Sequence, residues 1–309
     1  MVTRIFLLFF FFMFTVSSSL FSKIYYTGKE PVHLINTIEA KNCFISYIII
    51  NKKYRYLLKQ KKEFKKQLAV VRDALAAYIA KELNIAHQVD IIEFKKEFPG
   101  KVIACWPATL HTIARGDTIR KQIGTKYNLL RLRQLWSQAS SLNEKGLTKQ
   151  IIEHMTWHRQ LPEIVALDLI LGNSDRHSGN LCYDPDTDRF CAIDMDDTLN
   201  KDLCIVAYEN LKNMMNDDLI IFNKQEIRAL IHMKNTLKFL VQKHKPFDLI
   251  TKLHFFAKKA GFFKGSKMYD ERIEKKLLFY EEMITQTHAS AHRLIFLIEQ
   301  MIKRKSLIH

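Results

Sequence analysis

Two stretches hold acids at spacings that chemistry can use: LDLILGNSDRHSGN, residues 167–180, and FCAIDMDDTLN, residues 190–200. Phosphoryl transfer to a hydroxyl needs a carboxylate to position the hydroxyl and accept its proton, together with oxygen ligands for magnesium. Asp175 and Asn180 stand in the spacing D-x-x-x-x-N, which supplies one acid and one ligand. Asp194 follows at the end of an apolar run and can supply the second ligand. The same residues permit the opposite chemistry, with Asp194 as a nucleophile that forms an aspartyl phosphate and Asp196 as its acid/base partner.

The elements around these residues decide what they can reach. Leu167, Ile170 and Leu171 lie at helical spacing, and Gly172-Asn173 ends that helix. Asp175 then leads a loop, and Asn180 sits where the next strand begins. The segment NLCYDPDTDRFCAID reads as a hairpin turning at Asp184-Pro185-Asp186, which returns the chain so that Asp194 faces the loop. Upstream, CFISYIII (43–50) and YRYLLK (54–59) form a hairpin across NKK. Residues 61–84 then carry Phe64, Leu68, Val71, Leu75, Ile79 and Leu83 on one helical stripe. Strands at about 89–94 and 101–106 join through Pro99-Gly100. After Pro107 the pattern becomes mostly helical, and from Asn223 it is helical to the end.

GNSDRHSGN…AIDMDD resembles the catalytic and metal-binding segments of phosphatidylinositol 3-/4-kinases and of related atypical kinases, among them the secretory-pathway Golgi casein kinases and some bacterial effector kinases. The resemblance is tight over about 30 residues. It implies Asp175 as the catalytic acid, Asn180 and Asp194 as metal ligands, and Arg176 and His177 as supports of the loop. It also implies a lysine that reaches the α/β-phosphates, which Lys59 at the close of YRYLLK satisfies, with Leu57 on the same face and Lys61 and Lys62 as rivals. In RDALAAY, Asp73 is the nearest acid to partner that lysine, one residue out of step with the usual glutamate. A surface acid paired with Lys66 or Arg72 is the plainer alternative.

The fold so implied is α+β and two-lobed, protein-kinase-like: a small β-rich lobe with one helix over 23–106, and a larger, mainly helical lobe over 107–309. ATP and magnesium or manganese would lie between them. Two features depart from the pattern. EAKNCFIS stands where a glycine-rich loop belongs, and Met-Asp-Asp follows where Asp194 would precede Phe-Gly. The acceptor stays open between a protein hydroxyl and a phosphoinositide.

Two other readings compete. Asp194-x-Asp196-x-Thr198 spells the motif of a haloacid-dehalogenase-type phosphatase, but that fold opens a parallel sheet with it, and the segments downstream read as helices. A catalytically weak module of the kinase fold that binds a polyanion is the other, against which stand Lys59, Asp175, Asn180 and Asp194.

The net charge of +16 over 309 residues points to an anionic partner: nucleotide, inositol polyphosphate or anionic membrane. The run NKKYRYLLKQKKEFKK, 51–66, is the densest source of that charge; no nucleic-acid fold signature accompanies it, so nucleic acid is not the expected partner. Five cysteines form no C-x-x-C pair and read as reduced, with a cross-strand disulfide between Cys182 and Cys191 left open. His154 and His158 lack the Glu of a zinc-protease motif and read as exposed or helix-capping. The apolar run from Ile5 to Val16, followed by serines, reads as a secretory signal or an uncleaved anchor over 1–22. A secreted or membrane-associated protein follows, and a kinase so routed implies delivery to a place that holds ATP, such as a host cell or a secretory lumen.

Overall fold

The computed structural model describes residues 24–26, 31–39, 43–50, 54–61, 68–86, 88–98, 101–114, 117–118, 157–177, 179–184, 186–216 and 222–306. The expected leader over 1–22, His154, and Lys62, Lys65 and Lys66 of the basic run lie outside them.

The chain is α+β. Its first part is a closed barrel of six strands: β1 (Ile24–Tyr26), β2 (Pro31–Glu39), β3 (Cys43–Ile50), β4 (Tyr54–Lys61), β5 (Val89–Phe98) and β6 (Lys101–Thr112). They run in the order β1-β2-β3-β4-β6-β5, and β5 closes on β1. Register slips between Leu34 and Asn36 and between Phe94 and Lys96 mark bulges, the device that lets a sheet curl far enough to close.

Helix α1 (Leu68–Ala80) packs on β5 and β6, and Leu68, Val71, Leu75 and Ile79 of the expected stripe are buried. It is shorter than the 61–84 span. A turn of tighter helix over Lys81–Leu83 ends it at Asn84, whose φ of 54° lies in the left-handed region.

The strands differ from expectation in three places. Residues 24–39 add β1 and β2, β5 extends to Phe98, and β6 continues through Pro107, so the division at 106/107 falls inside a strand. Among the described residues Pro107 pairs with Glu93 of β5, and β4 joins β6 only at Thr109–Thr112, so on that side Pro107 stands at an open edge, where a missing N–H is tolerated.

The second part holds helix α2 (Gln160–Leu171) and the sheet β7 (Asp117–Thr118), β8 (Leu181–Asp184) and β9 (Arg189–Ala192). Helices α3 (Leu203–Asn216), α4 (Lys224–Lys243), α5 (Pro246–Lys259) and α6 (Glu271–Ser306) complete it. Asn223 caps α4 in a capping box with Glu226, so the helical region opens where the sequence pattern changes. Met233, Leu237 and Leu240 of α4, Leu253 of α5, and Leu294 and Ile298 of α6 form the centre of this core with α2.

Among the described residues every strand ladder is antiparallel, and the one parallel contact is the isolated bridge between Ala86 and Ala192. The strand that leads into Asp194, β9, pairs antiparallel with β8, whereas the phosphatase motif must open a parallel sheet. Cys182 and Cys191 are register partners across the β8–β9 hairpin but are not joined by a disulfide. Among the described residues, no helix is long and apolar enough to cross a membrane.

Candidate active site

Helix α2 is buried almost all round; of its two acids Glu163 is half-buried, and Asp168 has no exposed surface. That charge is neutralised by Arg176 of the following loop. Arg176 Nε donates to Asp168 Oδ2 at 2.9 Å and Nη2 to Oδ1 at 3.0 Å, a bidentate pair with both side chains fully buried. Its Nη1 donates to the carbonyls of Asn180 and Ile193, the latter at 2.9 Å. One guanidinium thus ties the helix, the loop and both ends of the hairpin together.

The helix can turn into this loop because Gly172 caps it at φ 60°, and a Cβ there would stand 2.2 Å from the Lys201 carbonyl oxygen. Asn173 then donates to Asp168 Oδ1 at 2.8 Å and accepts from the Asp175 N–H at 3.3 Å.

Asp175 emerges exposed from this anchored turn. Asn180 Nδ2 donates to the Asp175 carbonyl at 2.9 Å and lies 3.4 Å from its Oδ2. With the amide nitrogen so engaged, the amide oxygen of Asn180 is the atom left for a cation. His177 accepts from the Gly179 N–H through Nδ1 at 2.9 Å, and its Nε2 lies 4.0 Å from Asp175 Oδ1.

Asp194 has φ 54°, a left-handed conformation that non-glycine residues adopt at a cost. Met195 beside it is fully buried, so the core fixes the backbone here while the acids on either side turn toward the barrel. Both meet Lys59. Its Nζ is ion-paired with Asp194 and lies 2.7 Å from Asp196 Oδ2. Burial alone would pull the Lys59 pKa down, but the charges of Asp194, Asp73 and Asp196 outweigh it and hold the ammonium above the ordinary lysine range.

Lys59 sits on β4 opposite Thr109 of β6, and Leu57, two residues earlier, sits opposite His111. Asp73 of α1 lies beneath this face, 1% exposed, with its Oδ2 3.3 Å from His111 Nε2. It is not a surface acid. A one-residue offset in α1 turns a side chain by about 100°, and that offset sends Arg72 to a different partner: Nη1 donates to the Thr198 carbonyl at 2.9 Å and to Asn200 Oδ1 at 2.7 Å. Asn200 in turn holds Asp197, whose Oδ2 accepts from Ser174 at 3.1 Å.

No family profile and no curated protein matches the sequence. Solved structures that resemble the chain include a Helicobacter pylori proinflammatory kinase, CtkA, at 13% identity and a TM-score of 0.45, covering 88% of this chain and 95% of that one. A Plasmodium vivax ethanolamine kinase resembles it at 11% identity and a TM-score of 0.32, covering 83% of this chain and 82% of that one. At these scores and identities neither neighbour bears on what this chain acts upon.

Of the residues singled out from sequence, Lys59, Asp73 and Asp194 come together at one end of the barrel, and Asp175 and Asn180 are hydrogen-bonded to each other in the adjacent loop. Asp196, the second partner of Lys59, entered the sequence reading only through the phosphatase spelling. Asp168 went unnoticed, although a lone acid within VALDLIL is itself a signal of a buried partner. The Arg72–Asn200–Asp197–Ser174 chain has no sequence signature. His158 accepts from the Gln160 N–H at 3.2 Å at the start of α2 and is buried against Tyr183 and Phe190, a helix-capping role.

Among the described residues no three His, Cys, Asp or Glu side chains cluster as a metal cage. The Asn180 amide and the Asp194 carboxylate, whose side chain is 44% exposed, still fit a hard cation that draws its remaining ligands from phosphate and water.

Proposed function

We propose that the chain is an ATP-dependent phosphotransferase that moves the γ-phosphoryl group to a hydroxyl of a protein or a phosphoinositide. The observation that carries this reading is the meeting of Lys59, delivered by the barrel, with Asp194, delivered by the hairpin, beside a loop in which Asn180 holds Asp175. A lysine kept charged by three carboxylates is suited to phosphate oxygens, because its charge does not vary over any working pH.

In this reading Asp175 orients the acceptor hydroxyl and takes its proton as the oxygen bonds to the γ-phosphorus. The bond from that phosphorus to the β-phosphate oxygen breaks, and ADP leaves. Asn180 and Asp194 would hold magnesium or manganese, whose positive charge would offset that of the phosphates. Asp196 is a second anchor of Lys59, one that would remain if Asp194 served a cation. The Arg176–Asp168 pair and the Asn173 turn position Asp175 without touching substrate.

The test is transfer of label from γ-labelled ATP with magnesium, offered separately to a protein mixture and to phosphoinositide vesicles. Label in one acceptor that is absent with Asp175→Ala supports the reading and names the acceptor class. Intact ATP and unlabelled acceptors in both arms would contradict it.

A further inference from the structure

Helix α5 turns an aromatic face outward. Phe247 is 78% exposed, Phe255 55%, and Phe263, just past the helix, 45%. Phenylalanine has no polar atom to favour exposure, so three such rings along one element and its following turn need an explanation beyond the scattered apolar residue of any surface. The buried side of α5 is built by Leu249, Leu253 and Ala257. At 100° per residue, Phe247, Thr251, Phe255 and Lys258 fall on the opposite side.

The charge that this segment itself carries is strongly positive. Between residues 243 and 267 the chain carries Lys243, Lys245, Lys252, Lys258, Lys259, Lys264 and Lys267 against Asp248 alone. Lys252 Nζ lies 5.4 Å from the centroid of Phe255 and 5.1 Å from that of Tyr78 on α1, so an ammonium group stands over two rings at this face. Lys259 is ion-paired with Asp90 and Lys243 with Glu82, whereas Lys258, Lys264 and Lys267 project from exposed positions.

We propose that this face of α5 and the turn after it dock on an anionic lipid bilayer, with the phenylalanines in the boundary between headgroups and acyl chains and the lysines at the lipid phosphates. Exposed rings flanked by ammonium groups along one helix and its following turn are the pattern of a helix lying in that interface. A single-stranded nucleic acid would also meet cations and rings, but it is bound by grooves that track its backbone, and an outward helix face is convex. The residues of this surface are not those of the basic run at 51–66, and the inference does not rest on phosphotransfer.

The test is flotation of the full chain with vesicles of phosphatidylcholine alone and of phosphatidylcholine with 30% phosphatidylserine. Compared are the parent, Phe247→Ala/Phe255→Ala/Phe263→Ala and Lys258→Ala/Lys264→Ala/Lys267→Ala. The parent should prefer the serine-lipid vesicles. The aromatic variant should bind them at least about tenfold more weakly at every salt concentration, as expected from withdrawing buried rings. The lysine variant should lose most of the salt dependence.

The positions are exposed, so both variants should melt with the parent. If the aromatic triple melts early, Phe247→Ala alone carries the comparison. The proposal is overturned if the parent does not float, if it binds both vesicles equally, or if the aromatic variant matches the parent. It is likewise overturned if a single-stranded RNA displaces the vesicles and needs the same phenylalanines.

Discussion

Arg176→Met should be among the most damaging single changes in the chain. The guanidinium has no exposed surface, spends Nε and Nη2 on a carboxylate that is itself fully buried, and uses Nη1 on two backbone carbonyls. Methionine fills much of the same volume but donates nothing. Asp168 would keep a buried charge with only the Asn173 amide at 2.8 Å, and the Asn180 and Ile193 carbonyls would lose a donor. Breaking one side of a buried ion pair costs about 3–5 kcal/mol, a large share of the roughly 5–15 kcal/mol of a typical fold. The assay is urea unfolding followed by tryptophan fluorescence, with Asp168→Leu/Arg176→Met alongside. The double variant removes the stranded charge and should recover part of the loss. If the single variant loses less than about 1 kcal/mol, the pair is not what anchors the loop.

Other outcomes follow from the same contacts. Gly172→Ala should destabilise by about 1–3 kcal/mol in thermal melts, because the left-handed φ and the Lys201 carbonyl both oppose a Cβ; a neutral result would mean the loop relaxes freely. Burial holds the imidazoles of His244 and His288 below their ordinary 6.5, so the unfolded chain takes up protons that the folded one refuses. Their contribution is then complete above pH 6.5 and is lost as pH falls through the lowered folded values, and His244→Phe should flatten the stability profile there; an unchanged slope would remove His244 from the explanation. Arg72→Gln should lower turnover more than nucleotide binding, since it frees the Asn200–Asp197–Ser174 chain rather than Lys59, and an equal loss of both would contradict that division.

The pairing of Asp175 with Asn180 was legible because both belong to one short loop whose spacing is local. Lys59 was legible for a related reason: alternation along β4 fixes which residues share a face. Asp73 was not. Whether an acid on α1 is exposed depends on how α1 packs against β5 and β6, and the near-continuous burial of α1, alanines included, hides any polar stripe. β2 escaped because the alternation of Val32 and Leu34 is broken at Ile35-Asn36, where the bulge between Leu34 and Asn36 lies. Pro107 read as a break because sequence does not say that, among the described residues, its stretch of β6 pairs with β5 alone.

The most direct test of the central claim is calorimetric titration of ATP with magnesium into the parent, Asp194→Ala and Asp175→Ala, with transfer measured on the same samples. Asp194→Ala should lose the magnesium-dependent part of binding while its melting transition persists. Asp175→Ala should bind nucleotide as the parent does and transfer nothing. Undiminished magnesium-dependent binding in Asp194→Ala, or undiminished transfer in Asp175→Ala, would contradict the account.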